Sequence, residues 1–292
     1  MTVSAAAGTE SDCVPRVSRG ELGRRLAEAR SALASCHLCE WRCGIDRTRG
    51  EHAPCRLGSD TYSFRRYLSL TDEIEIVPTL RVYLAGCNFR CRFCDTGPTC
   101  FEPSAGEKID ARKLADELTA AVRQGAKTID LLGGEPSLHP HTILEIAASA
   151  EKPLPLVLDT NLYMSPQVID WFDGVFTCVI GDFKFGNDDC AQKLAGVPRY
   201  WEVVTRNLLH FASNRTRLIV RHLLMPGHVE CCFRPVADWI AANLSEVKFH
   251  LACGYVPCWK AQSDPTLGRM MGRDEQREAE EYLRSLNLNW HS

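Results

Sequence analysis

The chain has 292 residues, long enough for one large domain with an appendage or for two modest domains. With 45% hydrophobic and 24% charged residues it has the balance of an ordinary globular protein, which excludes a disordered or fibrous chain. A formal net charge of −3 gives no electrostatic reason to expect a nucleic-acid partner, and no run approaches the roughly 18 consecutive apolar residues that a membrane-spanning helix needs.

Residues 1–20, rich in Ser, Ala, Gly and Pro, read as a loose tail. They hold no basic start followed by an apolar run, so no secretory signal is expected and the protein is placed in the cytoplasm. Leu22, Leu26, Ala29 and Leu33 recur at helical spacing, which predicts a short amphipathic helix before residue 35. A cysteine-rich extension follows over residues 36–79, and its second part reads as a pair of strands at 62–70 and 73–77. From 80 to 262 the chain settles into a rhythm. Apolar strand-like runs at 80–85, 128–132, 154–158, 175–180, 218–224 and 247–251 alternate with helix-like segments at 110–124, 141–150, 166–172, 201–212 and 230–243. Strands apolar along most of their length, alternating with helices, indicate a parallel sheet covered by helices. Six such units predict an α/β fold, a partial (β/α)6 barrel rather than a full eightfold one. Residues 263–292, with a charged helix-like stretch at 273–286, form a helical tail.

Fifteen cysteines are too many for a chain of this kind unless some of them bind something. A disulfide framework would call for a small secreted chain and an even count. The first barrel strand runs straight into Cys87, Cys91 and Cys94, spaced C-x3-C-x2-C in a loop at the strand's C-terminal end, where parallel α/β folds place their active sites. Three thiolates can hold three irons of a cubane and leave the fourth open to a ligand; a zinc knuckle or three buried cysteines is the plainer alternative. The next strand ends in Gly133-Gly134-Glu135-Pro136. Glycines there let a ligand approach the backbone, and the carboxylate offers an acceptor for an amino group.

Together these motifs resemble the radical S-adenosylmethionine (SAM) superfamily. The resemblance implies that Cys87, Cys91 and Cys94 bind a [4Fe–4S] cluster whose open iron takes the amino and carboxylate groups of SAM. It also implies that Gly133, Gly134, Glu135 and Pro136 contact the SAM amino group and that Phe93 lies near the adenine. The expected chemistry is reductive cleavage of SAM to methionine and a 5′-deoxyadenosyl radical that abstracts hydrogen from a substrate. Within the superfamily, the segments Leu158-Asp159-Thr160-Asn161, Asp182-Phe183-Lys184 and Arg221 to Gly227 are similar to the glycyl-radical-enzyme activases, above all pyruvate formate-lyase activating enzyme and its relatives. Carried over, Asp159, Thr160 and Asp182 match a monovalent-cation site, Lys184 a lysine near the SAM carboxylate, and Arg221 an arginine facing the cavity. The plainer readings are a helix cap for Asp159 and a surface ion pair for Asp182 with Lys184. A glycyl-radical enzyme is then the expected substrate, and reduced ferredoxin or flavodoxin the expected electron donor, with Arg65, Arg66, Arg90 and Arg92 available to an acidic donor. Two departures stand out: Gly254 occupies the place of an activase histidine, with His250 nearby, and Asp95-Thr96-Gly97 follows the third cysteine.

Cys36, Cys39, Cys43 and Cys55 form C-x2-C-x3-C-x11-C. Four thiolates at that spacing suit a tetrahedral zinc site or a fully ligated iron–sulfur cluster, and spacing does not choose between them. This block resembles the N-terminal region of activase-like radical SAM proteins and is lacking in pyruvate formate-lyase activase itself. It supports a competing reading, a radical SAM enzyme that modifies a small molecule or peptide with an auxiliary metal site. A third reading, a non-catalytic iron–sulfur electron carrier, would have no need of the strand-end motifs. Cys253 and Cys258 lie at the catalytic end of the barrel as candidate ligands or radical-quenching thiols, whereas Cys13, Cys100, Cys178, Cys190, Cys231 and Cys232 read as small buried hydrophobes.

Overall fold

A computed structural model describes residues 17–50, 53–102, 105–214 and 216–292. The expected loose tail up to residue 16, with Cys13, lies outside the described residues. Ser18 accepts a hydrogen bond from the Glu21 amide and so opens the first helix, α1, Arg19–Ser31. Then come β1 (Tyr62–Ser69), β2 (Thr79–Leu84), the single turn α2 (Gly97–Cys100), β3 (Glu107–Lys108) and α3 (Ala111–Arg123). Asp110, expected as the first residue of that last helix, is its cap and accepts from the Arg112 and Lys113 amides. The repeats continue as β4 (Thr128–Gly133), α4 (Pro140–Ser149), β5 (Leu156–Thr160), α5 (Pro166–Phe172), β6 (Cys178–Asp182), α6 (Asp188–Ala195), α7 (Tyr200–Ser213), β7 (Arg217–Leu223), α8 (Arg234–Asn243), β8 (Lys248–Ala252), α9 (Arg273–Ser285) and β9 (Trp290–His291). Six strand–helix repeats starting at β2 give the α/β class the sequence predicts.

The chain forms two compact units. One holds the described residues of 17–88 and 98–179, with strand order β3-β1-β2-β4-β5. There β1 pairs antiparallel with β2, while β2 with β4 and β4 with β5 are parallel. Every residue of β5 is buried, as expected of a parallel strand covered on both faces. The other unit holds residues 89–97 and 180–292, with order β6-β7-β8-β9 and parallel pairing of β7 with β8 and of β8 with β9. Among the described residues no helix is long and apolar enough to cross a membrane.

Three local expectations are corrected. Residues 73–77 make a turn and not a strand: the Ile76 and Val77 amides both bond the Glu73 carbonyl, and Pro78 next in line has no N–H to give a ladder. Helix α6 escapes the periodicity because it is eight residues long with only Ala191, Leu194 and Ala195 buried. The helix expected from residue 230 begins as a π turn, Val229–Phe233, and becomes regular only at Arg234.

His141 in α4 donates from Nε2 to the Ser59 carbonyl at 2.9 Å, and burial together with Arg47 lowers its pKa to about 4. The neutral ring therefore adds stability above about pH 6.5, and that contribution is lost as the pH falls through 4. Between those pH values the wild-type chain is expected to lose about 2 kcal/mol more unfolding free energy than His141→Gln, whose amide keeps the Ser59 bond. Denaturant titrations across that range check this, and identical slopes for the two proteins would refute it.

Candidate active site

The first unit carries Cys87 on the exit of β2. The parallel ladder ends with Leu84 opposite Gly133, yet the two backbones stay together beyond it. Gly134 N–H donates to Leu84 O at 2.7 Å and Glu135 N–H to Gly86 O at 2.8 Å. A Cβ on Gly134 would stand 2.0 Å from the Gly86 carbonyl oxygen, and one on Gly133 (φ +111°) would stand 2.8 Å from Leu84 N and O. The two glycines are thus consumed by the chain's own close approach, where the sequence suggested room for a ligand.

Glu135 is fully buried, and its carboxylate serves the protein in the same way. Oε1 accepts from Thr160 Oγ1 at 2.7 Å and from Ser137 N–H at 3.0 Å, and Oε2 accepts from Asn161 N–H at 2.8 Å. Burial raises its pKa against the pull of these donors. The side chain therefore ties the end of β4 to the end of β5. Pro136 opens the short 3-10 turn that follows. Asp159 and Thr160 are buried at the end of β5, and Asp159 adds to the negative charge felt by Arg81.

Two further groups hold the chain around Cys87. Asn161 Nδ2 donates to Asn88 Oδ1 at 2.8 Å and sits 3.8 Å from Cys87 Sγ, while Asn88 O accepts from Trp41 Nε1 at 2.9 Å. His139 Nε2–H donates to Ala85 O at 2.9 Å and its Nδ1 takes the Thr61 hydroxyl proton at 3.0 Å, which fixes the backbone just before the first cysteine. The sequence marks Asn161 through the motif at the end of β5, but its pairing with Asn88 and the contacts of His139 emerge only in the fold.

The second unit carries Cys91 and Cys94. Arg90 N–H and Arg92 N–H donate to Ala195 O and Leu194 O, both at 2.8 Å, so the turn bearing Cys91 rests on the C-terminal end of α6. Phe93 is buried, with its ring 6.2 Å from Phe185 and 6.5 Å from Tyr255. Asp182, Lys184 and Arg221 form one network: Arg221 Nε is 2.7 Å from Asp182 Oδ1, and Lys184 Nζ bonds Oδ2. Their side chains are 14–20% exposed, so this is neither an open surface pair nor a sealed one. Burial pushes the Asp182 carboxyl up, but Arg221 and Lys184 outweigh it and hold it well below the ordinary range. Burial disfavours the Lys184 ammonium, and Asp182 with the Cys91 thiolate keep it charged. Two cations, Lys184 and Arg221, thus share the Asp182 carboxylate, and Lys184 also lies close enough to feel Cys91.

Cys36, Cys39 and Cys55 are buried and Cys43 half-buried. Gly44 N–H returns to Cys36 O and Cys36 N–H to Ile45 O, both at 3.0 Å, closing the turn that gathers the first three. Burial raises the Cys39, Cys43 and Cys55 thiols. Cys39 feels both Cys55 and Cys36, and Cys55 feels Cys36 and Cys43, so the four are brought into one neighbourhood. Cys253 is raised to about 11 by burial, and His250 stacks on His291 at 4.4 Å. The four arginines assigned to a donor each have a partner within the chain: Arg65 lies over the Tyr83 ring, Arg66 pairs with Glu107 and Glu117, Arg90 donates to the Phe89 carbonyl, and Arg92 pairs with Asp264.

Cys91 is buried, Cys87 and Cys94 are half-buried, and the three lie within eight residues of chain; three thiolates are a donor set of the kind iron–sulfur clusters use.

A family model described as the radical SAM superfamily matches residues 82–240. The chain is 30% identical to an uncharacterised protein of Methanocaldococcus jannaschii, over 92% of this chain and 80% of that one. A shorter match, 38% identical, joins 27% of this chain to 31% of the 7-carboxy-7-deazaguanine synthase of Methanothermobacter thermautotrophicus. Among solved structures, Streptococcus suis SuiB superposes with a TM-score of 0.55 at 16% identity, covering 72% of this chain and 47% of SuiB, a likeness that shows the fold.

Replacing Gly134 by Ala forces the Gly86 or Gly134 backbone to move, at a cost of about 3 kcal/mol or more. Gly134→Ala should lower the unfolding midpoint accordingly and reduce the iron retained after anaerobic reconstitution. Wild-type stability in that variant would contradict the contact.

Proposed function

The chain belongs to the radical SAM superfamily, and from that premise we propose that it reductively cleaves SAM and directs the resulting radical at a glycyl-radical enzyme. Membership implies a [4Fe–4S] cluster and SAM. Bound there, a reduced cluster would supply the one electron that splits the SAM sulfonium into methionine and a 5′-deoxyadenosyl radical, the species that would take hydrogen from substrate. The rest is the work of this chain's own residues.

Cys87, Cys91 and Cys94 hold the cluster. Lys184 and Arg221 receive the SAM carboxylate, and Asp182 keeps both cations charged and aimed by accepting from each of them. The observation that carries this reading is geometric: Lys184 and Arg221 both donate to the half-buried Asp182 carboxylate, which sets two cations where an anionic carboxylate needs them. Glu135 holds the ends of β4 and β5 together, so the backbone of 133–136 meets the SAM amino group while the carboxylate stays occupied. Phe93 supplies an apolar face for the adenine. Arg221 and Lys184 already give Asp182 positive charge, so a monovalent cation at Asp159, Thr160 and Asp182 would have to share it. Ferredoxin or flavodoxin is the proposed electron donor.

The neighbourhood of Cys36, Cys39, Cys43 and Cys55 favours a second reading, in which a zinc ion or second cluster there serves a small molecule or peptide substrate.

Anaerobically reconstituted protein given dithionite and SAM should release 5′-deoxyadenosine, and Cys91→Ala should release none. Arg221→Met should raise the apparent KM for SAM by about 10-fold, roughly one charged hydrogen bond. A fully loaded cluster that yields no 5′-deoxyadenosine would return the protein to electron carriage. An EPR doublet on a glycyl-radical partner after mixing supports the activase reading, and its failure to form with a competent partner favours the second.

A further inference from the structure

Away from both cysteine motifs, the second unit gathers Cys190, His228, Cys231 and Cys232, with one ligand atom from each lying within 4.8 Å of all the others. His228 Nδ1 is 3.2 Å from Cys231 Sγ and 3.7 Å from Cys232 Sγ, and the two sulfurs are 4.0 Å apart. We propose that these four residues form a binding site for a single thiophilic divalent ion of the zinc class.

Distance decides the kind of site. Thiolates about 2.3 Å from a tetrahedral zinc stand roughly 3.8 Å from one another, and an imidazole nitrogen stands slightly closer. The observed separations are of that size. A cubane would place each thiolate on a different iron and spread them farther apart than one shared ion does. Cys3His is a recurrent structural zinc set.

The surroundings build the site before any ion arrives. Pro235 has no N–H to give the Cys231 carbonyl, so the helix opens into the π turn that carries both cysteines. That carbonyl accepts from Asn187 Nδ2 at 2.7 Å, and Asn187 Oδ1 accepts from Cys190 N–H at 2.8 Å. One side chain thereby ties together the two halves of the ligand set. Gly186 lets them meet, because a Cβ there would lie 2.5 Å from Cys231 O.

The ion would clip α6 to the turn after β7. Helix α6 holds the Cys91 turn through Leu194 and Ala195, and β7 carries Arg221. The role assigned is bracing, and it holds whatever substrate the radical meets.

The test uses the full wild-type chain, purified anaerobically from zinc-supplemented cells. Thiol alkylation is followed residue by residue by mass spectrometry, with and without a chelator. Cys190 and Cys231 should label at least ~10-fold more slowly before chelation than after it. Cys190→Ser/Cys232→Ser should contain about one zinc per chain less than wild type, while Cys36→Ser/Cys55→Ser leaves the protection of Cys190 intact. Should the double variant fail to fold, labelling of the wild type still decides. Equal labelling with and without chelator, an unchanged zinc count in a folded Cys190→Ser/Cys232→Ser chain, or a disulfide among these cysteines in the anaerobic protein would each overturn the proposal.

Discussion

Everything on the Cys87 side of the site depends on one approach of backbone to backbone. Residues 84–86 and 133–135 run so close that no side chain fits at Gly134, and the amides of Gly134 and Glu135 are spent on Leu84 and Gly86. The contact extends the β2–β4 ladder past its regular end and sets where the first cysteine leaves the strand. The Glu135 carboxylate continues the same construction into β5 through Thr160 and Asn161, and Asn161 reaches back to Asn88 beside Cys87. A buried carboxylate with three donors is costly to disturb, since each donor would lose a partner it cannot replace with water.

The second unit holds its cysteines by different means. The Cys91 turn leans on the end of a short helix, and its charge environment is set by a carboxylate with two cations. Such a trio resists desolvation better than a lone lysine, because Asp182 compensates for the burial of both cations. The turn bearing Cys231 is held by Asn187, the N-cap of α6, whose amide donates to the Cys231 carbonyl, and Gly186 leaves room for the two segments to meet.

Much of this was legible in the sequence, for identifiable reasons. Strands buried on both faces are largely apolar, so β4 and β5 announce themselves, and motifs at their ends are located with them. Cysteine spacing within one loop is also legible, as Cys87, Cys91 and Cys94 demonstrate. Pairings between separate strands are not: Asp182 with Lys184 reads equally as a surface pair until Arg221 is seen to complete the network. Asn88 with Asn161, and Cys190 with the turn at 228–232, are brought together by folding across distances in sequence that carry no pattern. Glu135 shows a subtler limit. Its presence was readable and its partners were not, so an acceptor that looked available to a ligand is in fact occupied by the chain.

The central claim is that the three-cysteine loop holds a cluster whose open iron takes SAM. The most direct measurement is EPR and electron–nuclear double resonance of the reduced, reconstituted full-length protein, with SAM labelled isotopically at its amino nitrogen and carboxylate. The account predicts that SAM changes the cluster's g-values and that both labels show hyperfine coupling to it. A cluster spectrum unaltered by saturating SAM, with neither label coupled, would contradict it.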